Sequence, residues 1–245
     1  MRKMNLIIDI GNTATKLAVF QLDNIREVQT ISTLDLVLEV GKLLEKFSDI
    51  QQGLLSSVKK MDDLQVERLQ KLLPLKILEA SFKFPFDNSY DTPLTLGVDR
   101  LALVAAAVNQ YPNRNVLVID AGSCVTYDFV NADQNYLGGA ISPGVEMRYK
   151  SLEAFTSNLP LLKKTTPNQY IGSSTKASIH SGVVHGVLHE IEGAINEYRN
   201  KYSDLTVILT GGDSDFLCKQ FKISIFAHSN FLLEGLNFLL EFNTN

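Results

Sequence analysis

The 245-residue sequence predicts a mixed α/β protein built from two copies of one βββαβαβα unit. Three observations lead there. An apolar run ending in Asp-x-Gly and followed by a second apolar run occurs twice. Ile8 aligns with Ile119, Asp9 with Asp120, Gly11 with Gly122, Asn12 with Ser123 and Thr15 with Thr126. After each copy the hydrophobic period switches between strand-like and helix-like spacing in the same order. The composition, 45% hydrophobic and 20% charged, suits an ordinary globular chain able to bury a large core.

In the first half, strands are expected at 6–8 and 17–20 on either side of the turn, and a third at 27–32. Apolar residues at 34, 36, 37, 40, 43, 44 and 47 predict a helix over 34–47. A strand at 53–58 leads to a helix over 62–73, with Asp62 as its cap and Pro74 as its stop. A strand at 75–78 is followed by an aromatic loop, 80–96, and a helix over 99–110 that ends at Tyr111, Pro112 and Asn113. The second half repeats the order: strands at 116–120, 125–130 and 136–141, a helix over 145–155, and a loop over 156–174. A long helix over 175–201, a strand at 206–209, a helix over 213–221, a strand at 223–226 and a terminal helix over 231–242 complete it. Such patterning places helices on the faces of mixed sheets. The domains are expected to be 1–113 and 114–245.

Bulk properties exclude several functions. The net charge is −4 and no stretch is dense in Lys or Arg, so nucleic-acid binding is not expected. No apolar run approaches the roughly 20 residues of a membrane span. The opening Met1-Arg2-Lys3-Met4 runs into the strand that carries Asp9 and does not read as a signal peptide. Cys124 and Cys218 form no disulfide framework and no zinc spacing, which points to the cytoplasm.

The chemistry-bearing residues cluster at the turns. Gly11 lets the chain turn sharply and lets a phosphate approach its N–H. Asn12, Thr13 and Thr15 are short donors, Lys16 is a cation, and Asp9 at the strand end suits a hydrated Mg²⁺. Two aligned copies point to two facing loops that grip one polyphosphate. A second anchor is Tyr90-Asp-Thr-Pro-Leu-Thr-Leu-Gly97-Val98-Asp99-Arg100. Asp99 has two readings: a helix cap, or a carboxylate that accepts a proton from a hydroxyl attacking a γ-phosphate. Arg100 suits a substrate carboxylate or the moving phosphate. Gly138-Gly-Ala-Ile-Ser-Pro-Gly144 reads as a tight backbone fold lining a site, or as an ordinary glycine turn. Thr210-Gly-Gly212 leaves room for an adenine or ribose.

The duplicated unit with a phosphate-binding first turn resembles the ribonuclease-H-like fold of the acetate and sugar kinase, heat-shock ATPase and actin superfamily. In that superfamily the two units face each other across the nucleotide. More specifically, Asp9-x-Gly-Asn-Thr13, Gly97-x-Asp-Arg100, Asp120-x-Gly-x-x-x-Thr-x-Asp128, Gly139-x-Ile-x-Pro-Gly144 and Thr210-Gly-Gly212, in this order, resemble type III pantothenate kinase over essentially the whole chain. The resemblance implies transfer of the ATP γ-phosphate to pantothenate, the first step toward coenzyme A. It also implies a homodimer and a need for K⁺ or NH4⁺ beside Mg²⁺.

Carried over by motif, Asp9, Ile10, Gly11, Asn12, Thr13, Ala14, Thr15 and Lys16 would cradle the ATP phosphates, and Ser123 would contact ATP. Tyr90, Gly97, Val98, Asp99, Arg100 and Thr175 would bind pantothenate, with Asp99 as general base and Thr175 reaching across the dimer. Asp120 would ligate K⁺. The sequence departs from the family pattern at Ser123-Cys124, where Thr-Ala is common, and at Ser174, where Asn is frequent. Serine keeps the hydroxyl. The rival reading is a non-catalytic homologue acting as a regulatory factor; the presence of both Asp99 and Asp120 argues against it.

Four features are read more plainly. His185 and His189, four apart on one helix, have a spacing that can bind zinc but no third ligand, and are read as the polar edge of an interface helix; Lys163-Lys164 is read as a solvated pair rather than a contact to the anionic product. Cys124 is an inert buried thiol rather than a reactive one. The cluster of Phe82, Phe84, Phe86 and Tyr90 is either core under a loop or a lid over substrate.

Overall fold

The computed structural model describes residues 3–221 and 225–244. The chain forms two compact units, Met1–Pro112 with Asn230–Asn245, and Asn113–Ser229.

In the first unit, strands β1 (Met4–Ile10), β2 (Thr15–Gln21), β3 (Asn24–Ile31), β4 (Ile50–Ser57) and β5 (Leu75–Ile77) lie in the order β3-β2-β1-β4-β5. β1 pairs antiparallel with β2 and parallel with β4. From Asn5 to Ile10, β1 is buried at every position, so it reads as a continuous apolar run rather than an alternation. α1 (Leu36–Lys46) buries Leu36, Val40 and Leu43 on one face, against a core that includes Leu6, Ile8 and Leu17. Asp62 caps α2 (Asp63–Leu72) by accepting the Leu64 N–H at 3.2 Å, a contact that contributes about 1 kcal/mol. The loop after β5 carries a two-residue strand β6 (Asp87–Asn88) and a 3₁₀ turn (Pro93–Thr95) before α3 (Val98–Gln110).

The second unit repeats the topology. β7 (Val116–Ala121), β8 (Cys124–Val130), β9 (Asn135–Pro143), β10 (Thr206–Thr210) and β11 (Phe226–Ala227) run β9-β8-β7-β10-β11, the order of β3-β2-β1-β4-β5. α4 (Val145–Ala154), the 27-residue α5 (Thr175–Lys201) and α6 (Ser214–Cys218) complete it. The faces of α5 that carry Val183, Val187 and Ile191 pack on Leu117, Ile119 and Val125 of the sheet.

Three expectations need correction. The terminal helix α7 (Phe231–Phe242) belongs to the first unit, not to 114–245. Gly235 lies so close to α3 that an added Cβ would overlap the Ala102 carbonyl and come within 3.0 Å of the Ala106 methyl. Asn5 Nδ2 also donates to Asn237 Oδ1 at 2.8 Å and to Glu241 Oε1 at 2.6 Å, fastening α7 to β1. Helical periodicity identifies α7 but does not say which sheet it covers. Second, α6 spans Ser214–Cys218 and not 213–221: Asp213 is its N-cap and Lys219 its C-cap. Third, the strand expected at 223–226 falls partly on residues 222–224, outside the described residues; β11 begins at Phe226.

Candidate active site

The β1–β2 turn is closed by the Gly11 N–H donating to the Ala14 carbonyl at 3.0 Å. Asn12 and Thr13 are exposed at its tip, while Ile10 and Thr15 are buried. Thr15 differs from the sequence expectation: its hydroxyl meets that of Thr33 at 2.7 Å and is turned away from solvent. The turns are also one residue out of step. Asp9 stands opposite Lys16 in the first, whereas Asp120 stands opposite Thr126 in the second. The extra residue therefore places a cation across from the first aspartate.

Asp9 is 7% exposed. Burial pushes its carboxyl up to about 6. Lys16 opposite pulls it down, the Asp99 charge pushes it further up, and the neighbouring Ser56 hydroxyl lowers it slightly. Ser56 Oγ is itself buried and completes no full hydrogen bond. Burial outweighs the one cation opposite, so the carboxylate is under-compensated, which is the condition a hydrated divalent cation relieves.

Asp99 comes to this place from the first turn of α3. The cap of that helix is Gly97, whose extended backbone makes no side-chain cap. Asp99 Oδ1 instead accepts the Arg100 N–H at 2.9 Å. It folds back over Gly97, where an added Cβ would overlap that oxygen. Asp99 is not the N-cap residue, but its bond satisfies one of the free N–H groups of the first turn, so it does part of a cap's work at the positive helix end. Arg100 is 6% exposed and its guanidinium lies 5.6 Å from the centre of the Tyr90 ring, a cation–π contact. Phe86 belongs to the core with its ring 5.4 Å from that of Phe84 and tilted to it, while Tyr90 is the member whose ring meets Arg100.

In the second unit three glycine motifs separated in sequence meet at the turn that follows Asp120. Gly122 donates to the Cys124 carbonyl at 2.9 Å, and Gly144 to the Ser123 carbonyl at 3.1 Å. An added Cβ on Gly144 would lie 2.5 Å from the Ser123 carbonyl oxygen. Gly211, at φ +94°, packs with no room for a side chain against Asp120 Oδ1 and the Ala121 carbonyl. Gly212 has open space instead, the kind of surface on which a flat ring can lie. The Asp120 carboxylate and the Ala121 carbonyl both face Gly211, and such oxygens are hard donors of the kind alkali and alkaline-earth cations accept. The 138–144 motif is not a turn: β9 runs to Pro143, and Gly139 is required because a Cβ would strike the Tyr127 carbonyl.

The model of the family "Type III pantothenate kinase" matches residues 5–197. A relative of that name from Christiangramia forsetii is 52% identical over 98% of this chain and 99% of its own length. The chain belongs to the type III pantothenate kinase family. A second relative of the same name, from Flavobacterium johnsoniae, is 47% identical over 96% of each chain. Among solved structures, a Campylobacter jejuni protein described as a Baf family transcriptional activator matches 97% of this chain and 98% of its own, with a TM-score of 0.62 and 23% identity. A ROK family glucokinase from Streptomyces griseus, in complex with glucose and AMPPNP, matches at TM-score 0.54 and 10% identity over 98% and 99%. These two show the actin-like, sugar-kinase fold.

Other residues of this pantothenate kinase family member fall as follows. Thr175 opens α5 behind the cap Ser174, which accepts the Ala177 N–H at 3.2 Å. Thr175 lines a groove of about 640 Å³ together with Arg148, Leu152, Leu159, Ile179 and Gly182. Asp128 is fully buried and accepts from Tyr136 Oη at 2.7 Å and Thr126 Oγ1 at 3.2 Å, a structural pairing. Lys164 is not a solvated lysine: it ion-pairs with Asp213 and lies 5.5 Å from the Phe216 ring. His185 Nδ1 rests on Ser181 of its own helix at 3.1 Å, and among the described residues no group of three His, Cys, Asp or Glu is placed to hold a metal. Cys124 is partly exposed, not buried. Sequence reading passed over Lys59, whose Nζ donates to the Asn12 carbonyl at 2.7 Å. The signal available was a lysine pair directly after the strand that flanks β1.

Proposed function

We propose that the protein phosphorylates the terminal hydroxyl of pantothenate with ATP, giving 4′-phosphopantothenate and ADP, the first step of coenzyme A biosynthesis. The observation that supports this reading is that the Asp99 charge acts on the Asp9 carboxyl, so aspartates of two separate motifs in one unit lie within electrostatic reach.

In this reading the turn over 9–16 holds the phosphates through its backbone N–H groups, Asn12 and Thr13, and Lys16 offsets charge. Ser123 supplies a further ATP contact. Asp99 accepts the hydroxyl proton as that oxygen bonds to the γ-phosphorus and the bond to the bridging oxygen of ADP breaks. Arg100, fixed under Tyr90, adds a positive charge beside Asp99 for the pantothenate carboxylate. Asp9 would hold Mg²⁺ through its hydration shell, and Asp120, with the Ala121 carbonyl near it, would hold K⁺. When bound, both ions supply charge neutralisation of the phosphates. The protein acts as a homodimer, Thr175 reaching the pantothenate of the partner copy.

The test is ADP release with and without pantothenate, in K⁺ buffer and in buffer with a large organic cation instead. Pantothenate-dependent release that needs K⁺ supports the substrate and the Asp120 site together. Release that ignores K⁺ removes the cation assignment. ATP binding without any turnover overturns the kinase reading.

A further inference from the structure

We propose that Lys59 anchors the nucleotide by clamping the tip of the Asp9 turn and presenting its ammonium to the polyphosphate. The proposal rests on the kinase reading above.

The placement of Lys59 follows from the sheet. The parallel register of β1 and β4 runs to Ile10 opposite Ser57. It continues one step further, the Val58 N–H donating to the Ile10 carbonyl at 3.1 Å. The chain after β4 therefore leaves the sheet directly beside the β1–β2 turn. Ser57 then folds that exit: its hydroxyl donates to the Lys59 carbonyl at 2.8 Å and accepts the Lys59 N–H at 3.2 Å. So fixed, the Lys59 side chain reaches across to the Asn12 carbonyl at 2.7 Å.

Two consequences follow. The Asn12 carbonyl and the Thr13 N–H belong to one peptide group, so a cation on the oxygen polarises the N–H and makes it a better donor to an anion. The second concerns charge. Lys16 stands opposite Asp9 and its field acts on that carboxylate. Lys59 is exposed, and among the described residues no carboxylate pairs with it. Its charge is therefore available at the turn where a polyanion arrives. An ammonium has three N–H donors, so one can stay on the Asn12 carbonyl while another meets a phosphate oxygen. Lys60, its neighbour, makes no such contact and serves as the internal control.

The experiment is calorimetric titration of Mg-ATP into the full-length wild type, Lys59→Met, Lys59→Arg and Lys60→Met, followed by steady-state kinetics with saturating pantothenate. Lys59→Met is expected to weaken ATP binding roughly tenfold or more and to flatten its salt dependence. It should raise the KM for ATP with kcat nearly unchanged. Lys59→Arg should recover most of the affinity and Lys60→Met should match the wild type. Lys59→Met with wild-type affinity, or an equal loss in Lys60→Met, overturns the clamp and leaves the kinase reading intact. Absence of ATP binding by the wild type overturns both.

Discussion

The carboxylates of Asp9 and Asp99 come from different motifs, one at the end of a central strand and one in the first turn of a helix, and they share one electrostatic environment. Burial is the main reason the Asp9 carboxyl titrates near 6, and the Asp99 charge adds to it. Two acids within electrostatic reach, one of them buried and only partly offset by Lys16, form a region that favours incoming positive charge.

Replacing Asp99 by Asn should lower turnover at least a hundredfold, within the range typical of a lost general base. ATP affinity should change little. Single-turnover kinetics and direct ATP titration check the two halves. Near-normal turnover would remove the base assignment.

Asp9→Asn should lose activity yet gain stability at neutral pH. The sign follows from the raised carboxyl. Its folded value of about 6 exceeds the ordinary 3.8. The stabilisation from this group is therefore complete below 3.8 and is lost as pH rises toward 6; above that, folding carries a buried charge. Removing the charge should recover about 1–3 kcal/mol, a rise in Tm of several degrees at pH 7.5. The gain should shrink as pH falls below 6. Thermal melts of both proteins across that range, without Mg²⁺, read it directly.

Gly211→Ala should disturb Asp120 specifically. The new methyl would overlap Asp120 Oδ1, and φ at +94° is unfavourable to any Cβ. The expected signature is a several-fold rise in the K⁺ concentration needed for half-maximal activity. Gly212→Ala, with open space around it, should leave that requirement alone.

Gly235→Ala tests the membership of α7 in the first unit. An added methyl would collide with the Ala102 carbonyl and crowd Ala106 on α3. Overpacking of this kind costs about 1–3 kcal/mol. Hydrogen exchange should accelerate in α3 and β1 and remain unchanged in β7 and α5. Faster exchange confined to β7 and α5 would contradict the placement.

Much of this was legible in the sequence because the relevant signals are local. The bounds of α5 and α7 coincide with their apolar periodicity, and Asp62 caps α2 as its position before the helix implies. The duplicated turn was visible because an apolar strand ending in Asp-x-Gly is a short, dense pattern. What escaped was set by tertiary approach. Gly144 and Gly211 lie far from the Asp120 turn in sequence, and only the folded backbone shows Gly144 meeting Gly122 and Ser123 and Gly211 meeting Asp120 itself. The one-residue offset that puts Lys16 rather than Thr15 across from its aspartate depends on strand pairing, which identity-based alignment of the two turns does not see. Lys59 and Lys164 look alike as exposed lysines in loops; one reaches a backbone carbonyl and the other an aspartate.

The most direct test of the central claim follows the phosphorus itself. Protein, Mg-ATP and pantothenate are mixed in K⁺ buffer, and ³¹P NMR is recorded as ATP is consumed. The account predicts a new phosphomonoester resonance growing in step with ADP and absent when pantothenate is omitted. ADP accompanied only by inorganic phosphate, or ATP left intact, would contradict it.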